Sequence, residues 1–335
     1  LPASDSIVRS RWLSLCGALT LVVGATVATS GTAHAQQRPV DRLPREKLDV
    51  LPPSARVSGA PGTMTVRHTA CRTVPDADIR QRLVDVAVQE WAFFGFVTVD
   101  QTPRDPSREP PRRPRSFRWL DPEQSARVAA TIAGYWTATP QGSWILANQN
   151  EEWSGRDGVA SRWRYPWSAA FLSWVMCEGG LGDSARFLRA VAHHAYIDQA
   201  IAARDASEPR AAFAAHDIGD AAIEPGDLLC SARRPGYRTI ADRRGQTGDG
   251  ARTHCDLVVK LDDRGSRILA IGGNVRGSVS LKRIPAVPDA KGRLQPAYPP
   301  ERGGAFAHLK LRMPAIEPDA LDRSVTLQAL LVPGP

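Results

Sequence analysis

The spacing of apolar residues divides the chain into a helical first half and a strand-rich second half. In IRQRLVDVAVQEWAFFG, residues Ile79, Leu83, Val86, Val88, Trp91 and Phe94 give an amphipathic helical pattern that Gly95 ends. Asp121-Pro122 predicts the start of a second helix through SARVAATIAGYW, because a proline in the first turn lacks only an N–H that would have no partner there. The segment WRYPWSAAFLSWVMCEGGL, from Trp163 to Leu181, is apolar on nearly every side, so it predicts a helix in the middle of the fold. Asp183-Ser184 then predicts a cap for a further helix through ARFLRAVAHHAYIDQAIAARD.

From residue 224 the grammar changes to short apolar runs bounded by turn residues. EPGDLLCSA (224–232), HCDLVVKL (254–261), SRILAIGG (266–273) and SVSLKRI (278–284) predict strands of an antiparallel sheet, and 305–313 and 324–332 predict late strands or edge packing. Helices that precede strands, instead of alternating with them, predict an α+β fold with N-terminal helices packed against the sheet. Residues 36–75 read as a leader or linker, and 76–335 as a single domain. Within it, the Pro/Arg-rich insert 101–118 cannot build a core and is expected to loop over the surface.

The N-terminus adds a compartment. Arg9 and Arg11 precede an apolar run from Trp12 to Ala28, and Ala33-His34-Ala35 follows as a small-x-small site, so residues 1–35 are expected to be a signal peptide cleaved after Ala35. Ser14, Cys16, Gly17 and Thr20 interrupt the run and make it a poor permanent span. Export to the periplasm or cell envelope would place Cys71, Cys177, Cys230 and Cys255 in an oxidising environment, where Cys230 with Cys255 is the favoured bridge because both fall in neighbouring strands. The excess of 43 basic over 35 acidic residues suits peripheral association with anionic envelope material, while no motif supports nucleic-acid binding.

The leading chemical candidate is Ser168, in the first turn of the most buried helix, where unpaired N–H groups favour developing negative charge. Serine needs a general base, and His254 at the start of a strand is the candidate. Asp256, on the same strand face by the two-residue period, and Asn274, at the end of IGGN, compete to hold the other ring nitrogen. On spacing alone these are first a helix-start serine, a strand-edge histidine and a turn asparagine, and composition and spacing do not by themselves make a triad. His193-His194 are adjacent on a helix and cannot form the i,i+4 pair of a zinc motif; one is expected to pack and the other to meet solvent. Neither HExxH, a Cys-x-x-Cys pair, a nucleotide fingerprint nor a G-x-S-x-G elbow occurs, so no metal or cofactor is expected.

WSAAFLSWV, EPGDLL, THCDLVV and AIGGNV, taken in order over roughly residues 160–285, resemble the motif series of CHAP and related papain-like cell-wall amidases and peptidases. They also resemble a bacterial family still described as a domain of unknown function, DUF2272. The resemblance implies a papain-like fold, peptidoglycan or other cell-envelope material as partner, and site roles for Ser168, His254 and Asn274. It also marks a departure, because Ser168 stands where that pattern places the nucleophilic cysteine. Three outcomes follow: a serine nucleophile in an amide hydrolase, a catalytically inactive wall-binding or interaction module, or a nearby cysteine that has taken over. Cys177 falls on the far side of the same helix and Cys255 on the far face of the His254 strand, which disfavours the third.

Overall fold

Why the sheet and one buried helix meet at Ser168 follows from how each segment satisfies its backbone and apolar side chains. The computed structural model describes residues 40–102, 121–161, 163–206 and 208–331. The signal peptide expected over 1–35 and residues 103–118 of the Pro/Arg-rich insert lie outside the described residues.

The chain begins with a small hairpin, β1 (Val57–Ser58) with β2 (Thr65–Val66). The stretch read as a leader or linker contributes Leu48, Val50, Val57 and Met64 to the main core, and its Arg56 is buried against Glu178 at 3.0 Å. Helix α1 (Ile79–Phe93) follows, ended by Gly95 at φ 80°, a left-handed conformation that favours glycine. Next come β3 (Thr98–Asp100), α2 (Pro122–Thr137), α3 (Gly142–Trp153) and α4 (Ser168–Glu178). The Asp121 side chain caps α2 by accepting from the Gln124 N–H at 2.8 Å. In α4, every residue from Ala169 to Glu178 is buried, as its all-round apolar character requires.

The next helix is shorter than its sequence pattern. Residues 183–192 do not continue as helix, and α5 spans only His193–Arg204. Tertiary hydrogen bonds replace the helical ones in this stretch. Ala190 N–H donates to Ser173 Oγ at 3.0 Å, Leu188 N–H to Gln199 Oε1 at 2.6 Å, and Gln199 Nε2 donates to Ser184 O at 2.9 Å. With its backbone satisfied this way the segment drapes over α4 and sets His193 at a helix start.

The second half supplies β4 (Phe213–His216), β5 (Leu228–Arg234), the short helix α6 (Ile240–Arg244), β6 (Arg252–Asp262), β7 (Arg267–Val275), β8 (Ser278–Pro288), β9 (Leu294–Pro296), β10 (Ala307–Leu311) and α7 (Val325–Leu331). Within 324–332, expected as a late strand or edge packing, Val325–Leu331 form α7 instead; Leu330 and Leu331 are exposed and build no sheet edge. The eight-stranded sheet runs β3-β8-β7-β6-β5-β10-β4, with β9 beside β8. All pairs are antiparallel except β3 with β8. The outcome is an α+β fold with helices and a sheet, as the element order predicts.

One sheet face supplies Leu228, Cys230, Cys255, Leu257 and Ile271 to the main core beneath α1, α2 and α4. The other face carries a smaller cluster around Leu229, Val258 and Ile268. Cys230 and Cys255 are directly paired across β5 and β6 and form a disulfide, and Cys71 is bridged to Cys177.

Candidate functional site

Ser168 is placed by the residue before it. Trp167 is fully buried, its ring stacked on Phe94 and on Tyr135, each at 5.9 Å, and Tyr135 is anchored by a hydrogen bond from its hydroxyl to Glu90. The chain therefore enters α4 at a fixed angle. Trp167 offers no capping side chain, so the first-turn N–H groups of α4 stay unclaimed by a cap beside the half-buried Ser168 hydroxyl. One turn along α4 the sheet comes unusually close: a Cβ at Gly273 would stand 2.6 Å from that of Phe171.

The Ser168 hydroxyl lies 2.7 Å from Nε2 of His193, the first residue of α5. His193 is 4 % exposed, and burial, followed by the nearby His254, pushes its pKa well below that of an ordinary histidine. Its Nδ1 receives the backbone N–H of Cys255 at 3.2 Å and contacts the hydroxyl of Tyr196, one turn along α5. His194 behaves differently, half-buried with Nδ1 near the backbone of Ala251.

His254 and Asp256 share one face of β6, as the strand period predicts, and His254 Nε2 meets Asp256 Oδ1 at 2.9 Å. The other carboxylate oxygen accepts from Lys282 Nζ on β8 at 2.6 Å, across the intervening strand β7. Asp256 is buried, which alone would raise its pKa, yet Lys282 and then His254 hold the carboxyl far below the usual range, so it is ionised. The two imidazoles, His193 and His254, lie with ring centroids 5.0 Å apart. Ser168 is thus hydrogen-bonded to His193, whose ring adjoins that of His254.

Of the two candidates for orienting His254, Asp256 is the one that touches it. Asn274 sits at φ 56°, where the β7–β8 register shifts between Gly272 and Val275, and no described hydrogen bond joins its side chain to either ring. The four cysteines of the described residues are all in disulfides, so none of them is a thiol nucleophile. Among the described residues no group of three His, Cys, Asp or Glu is gathered as for a metal ion. A cavity of about 460 Å³ lies elsewhere, lined by Arg72, Arg186 and Arg189 beside the Cys71 bridge at the other end of α4.

The residues that sequence reasoning missed are His193, Tyr196 and Lys282. The local pattern around His193 hides it, because Ala192 before it is no capping residue and the apolar period runs on from Phe187. Lys282 sits between Leu281 and Arg283 in the strand run SVSLKRI, where nothing along the chain sets it apart from its exposed neighbour Arg283; only its burial, at 8 % exposure, marks it as a charge partner.

The model of a family described as "Uncharacterized protein conserved in bacteria (DUF2272)" matches residues 123–299, just over half of the chain and including the whole of this cluster. No curated protein and no solved structure matches the chain.

Proposed function

We propose that this chain, which belongs to the DUF2272 family, is an exported amide hydrolase that acts on peptidoglycan or a related cell-wall peptide with Ser168 as nucleophile. The observation that carries the reading is the Ser168 hydroxyl, held 2.7 Å from an imidazole at the start of a buried helix, with a second, carboxylate-anchored imidazole adjoining the first. An imidazole removes the hydroxyl proton while Oγ attacks the amide carbonyl carbon, and the first-turn N–H groups of α4 face the developing oxyanion. The C–N bond then breaks, the amine leaves with the proton, and water cleaves the resulting ester. One water is consumed, and a carboxylic acid and an amine are formed. Two disulfides and the signal-like N-terminus support an oxidising, exported location, and the papain-like resemblance supports the wall as substrate.

A second reading, a papain-like wall-binding module without activity, is favoured by one observation: Ser168 is bonded to His193, whose far nitrogen is not held by a carboxylate. Incubating the mature protein with purified peptidoglycan and weighing soluble fragments against those from Ser168→Ala separates the two. Serine-dependent release supports the hydrolase and identifies the bond. Co-sedimentation with the wall and no release supports the binding module, and the absence of both sinks each reading.

A further inference from the structure

We propose a division of labour between the two imidazoles: His193 donates its Nε2–H to Ser168 Oγ and is not the base, and His254, anchored by Asp256, accepts the serine proton. This rests on the hydrolase reading above. A backbone group that can only donate sets the tautomer of His193. Cys255 N–H points at His193 Nδ1 from 3.2 Å, so Nδ1 must present its lone pair. The Tyr196 hydroxyl, on the same nitrogen, turns its proton towards it as well. A neutral imidazole with its lone pair on Nδ1 carries its proton on Nε2, the nitrogen 2.7 Å from Ser168 Oγ. A second proton on Nδ1 would face the Cys255 N–H inside the core, and the burial that keeps His193 neutral opposes it too.

This is the reverse of a serine-activating histidine, in which the far nitrogen donates to an acceptor and the near one offers a lone pair. His254 has the required arrangement. Asp256 is ionised and acceptor-only, so His254 Nε2–H donates to it, and Nδ1 is left with the lone pair and no described protein partner. Among the described residues no hydrogen bond joins Lys282 to either ring; it bonds to Asp256 and is a positioning residue. With His193 occupying one lone pair of Oγ, the serine O–H has to point elsewhere. As the substrate carbonyl closes on Oγ, the O–H bond breaks and its proton passes to His254 Nδ1, through a water where the gap requires one. The freed pair on Oγ forms the C–O bond, and the carbonyl π pair moves onto oxygen. The His193 N–H stabilises the charge on Oγ while the proton leaves.

Glutamine separates the roles, because its side-chain amide can donate where Nε2–H stood but cannot take up a proton as a base. On peptidoglycan, His193→Gln is expected to keep activity within about tenfold of the natural protein, while His193→Leu loses about 10²–10³-fold, the cost of one lost donor to a reacting oxygen. His254→Gln is expected to be as inactive as Ser168→Ala. Activity in His254→Gln together with none in His193→Gln would make His193 the base and overturn the proposal. A second measurement needs neither substrate nor variant: ¹⁵N-histidine NMR of the unaltered protein should show His193 protonated at Nε2 and unprotonated at Nδ1 from pH 5 to 8. A protonated Nδ1 overturns the proposal. If the protein releases nothing from the wall, the hydrolase reading fails while the tautomer of His193 is still decided by the spectrum.

Discussion

Gly272 lies so close to Asp256 that a Cβ added to it would stand 1.9 Å from Oδ1, and 3.1 Å from Nε2 of His254. The missing side chain on β7 is what lets Lys282 on β8 and His254 on β6 meet on one carboxylate. Gly272→Ala is therefore expected to push Asp256 off His254, with a stability loss of about 1–3 kcal/mol as in an overpacked core. Hydrolysis should fall more than tenfold while the circular dichroism spectrum is kept. Unchanged activity would detach the Asp256 pair from the chemistry.

Lys282 and Asp256 form a buried pair in which each answers the other's charge. Lys282→Met leaves the carboxylate without its main counter-ion and is expected to cost about 3–5 kcal/mol in urea denaturation, as for other broken buried pairs. Lys282→Met with Asp256→Asn removes both charges and should recover much of that loss. A double variant as unstable as the sum of the two single ones would mean that the charges are not coupled.

His193 sets an acid limit on stability. Its pKa is depressed in the folded state by burial and then by the nearby His254, so below the ordinary histidine pKa of about 6.5 the unfolded chain takes up a proton that the folded chain refuses. This contribution is fully present above that pH and is lost as pH falls, by about 1.4 kcal/mol per unit. His193→Gln has no such proton, and its thermal midpoint should fall less than that of the natural protein between pH 6.5 and 5. Parallel curves would contradict a buried neutral His193.

Asp85 runs the other way. Buried on α1, it has a pKa pushed up to about 6 by desolvation, although the Gln81 amide and the Val325 N–H both donate to Oδ1. Its folded-state pKa is raised, so its contribution is fully present below the unfolded value of about 3.9 and is lost as pH rises through 6. Asp85→Asn keeps the acceptor oxygen without the charge and should stabilise the protein by about 1–3 kcal/mol at pH 7 but little at pH 4. Calorimetry at the two pH values checks this, and an equal shift at both would point to packing in place of ionisation.

Much of this site could be read from residue order. The apolar run around WSAAFLSWV requires a helix with no wet face, which puts Ser168 in its first turn, and the two-residue period of HCDLVV puts His254 and Asp256 on one face and Cys255 on the other. Cys230 and Cys255 were readable as neighbours because their strands are consecutive apolar runs in an antiparallel sheet. The late start of the helix within 183–204 was not readable, because the groups that hold 183–192 out of it, Ser173 and the Gln199 side chain, work by tertiary hydrogen bonds and leave no cap or glycine behind. The α7 segment misled for a related reason: β-branched Val325 and Thr326 favour a strand only where a neighbouring strand is there to pair with.

The sequence by itself determined the central helices and the main strands of the sheet, the serine at a buried helix start and the carboxylate beside His254, because each follows from a period or a neighbour along the chain. Only the tertiary structure decided which imidazole meets Ser168. That choice depends on α5 starting at His193, on β6 offering the Cys255 N–H to its far nitrogen, and on Gly272 leaving room for Lys282. The two His193 contacts join residues 25 and 62 positions apart, and a backbone N–H that fixes a tautomer carries no mark in the side chains that a sequence displays.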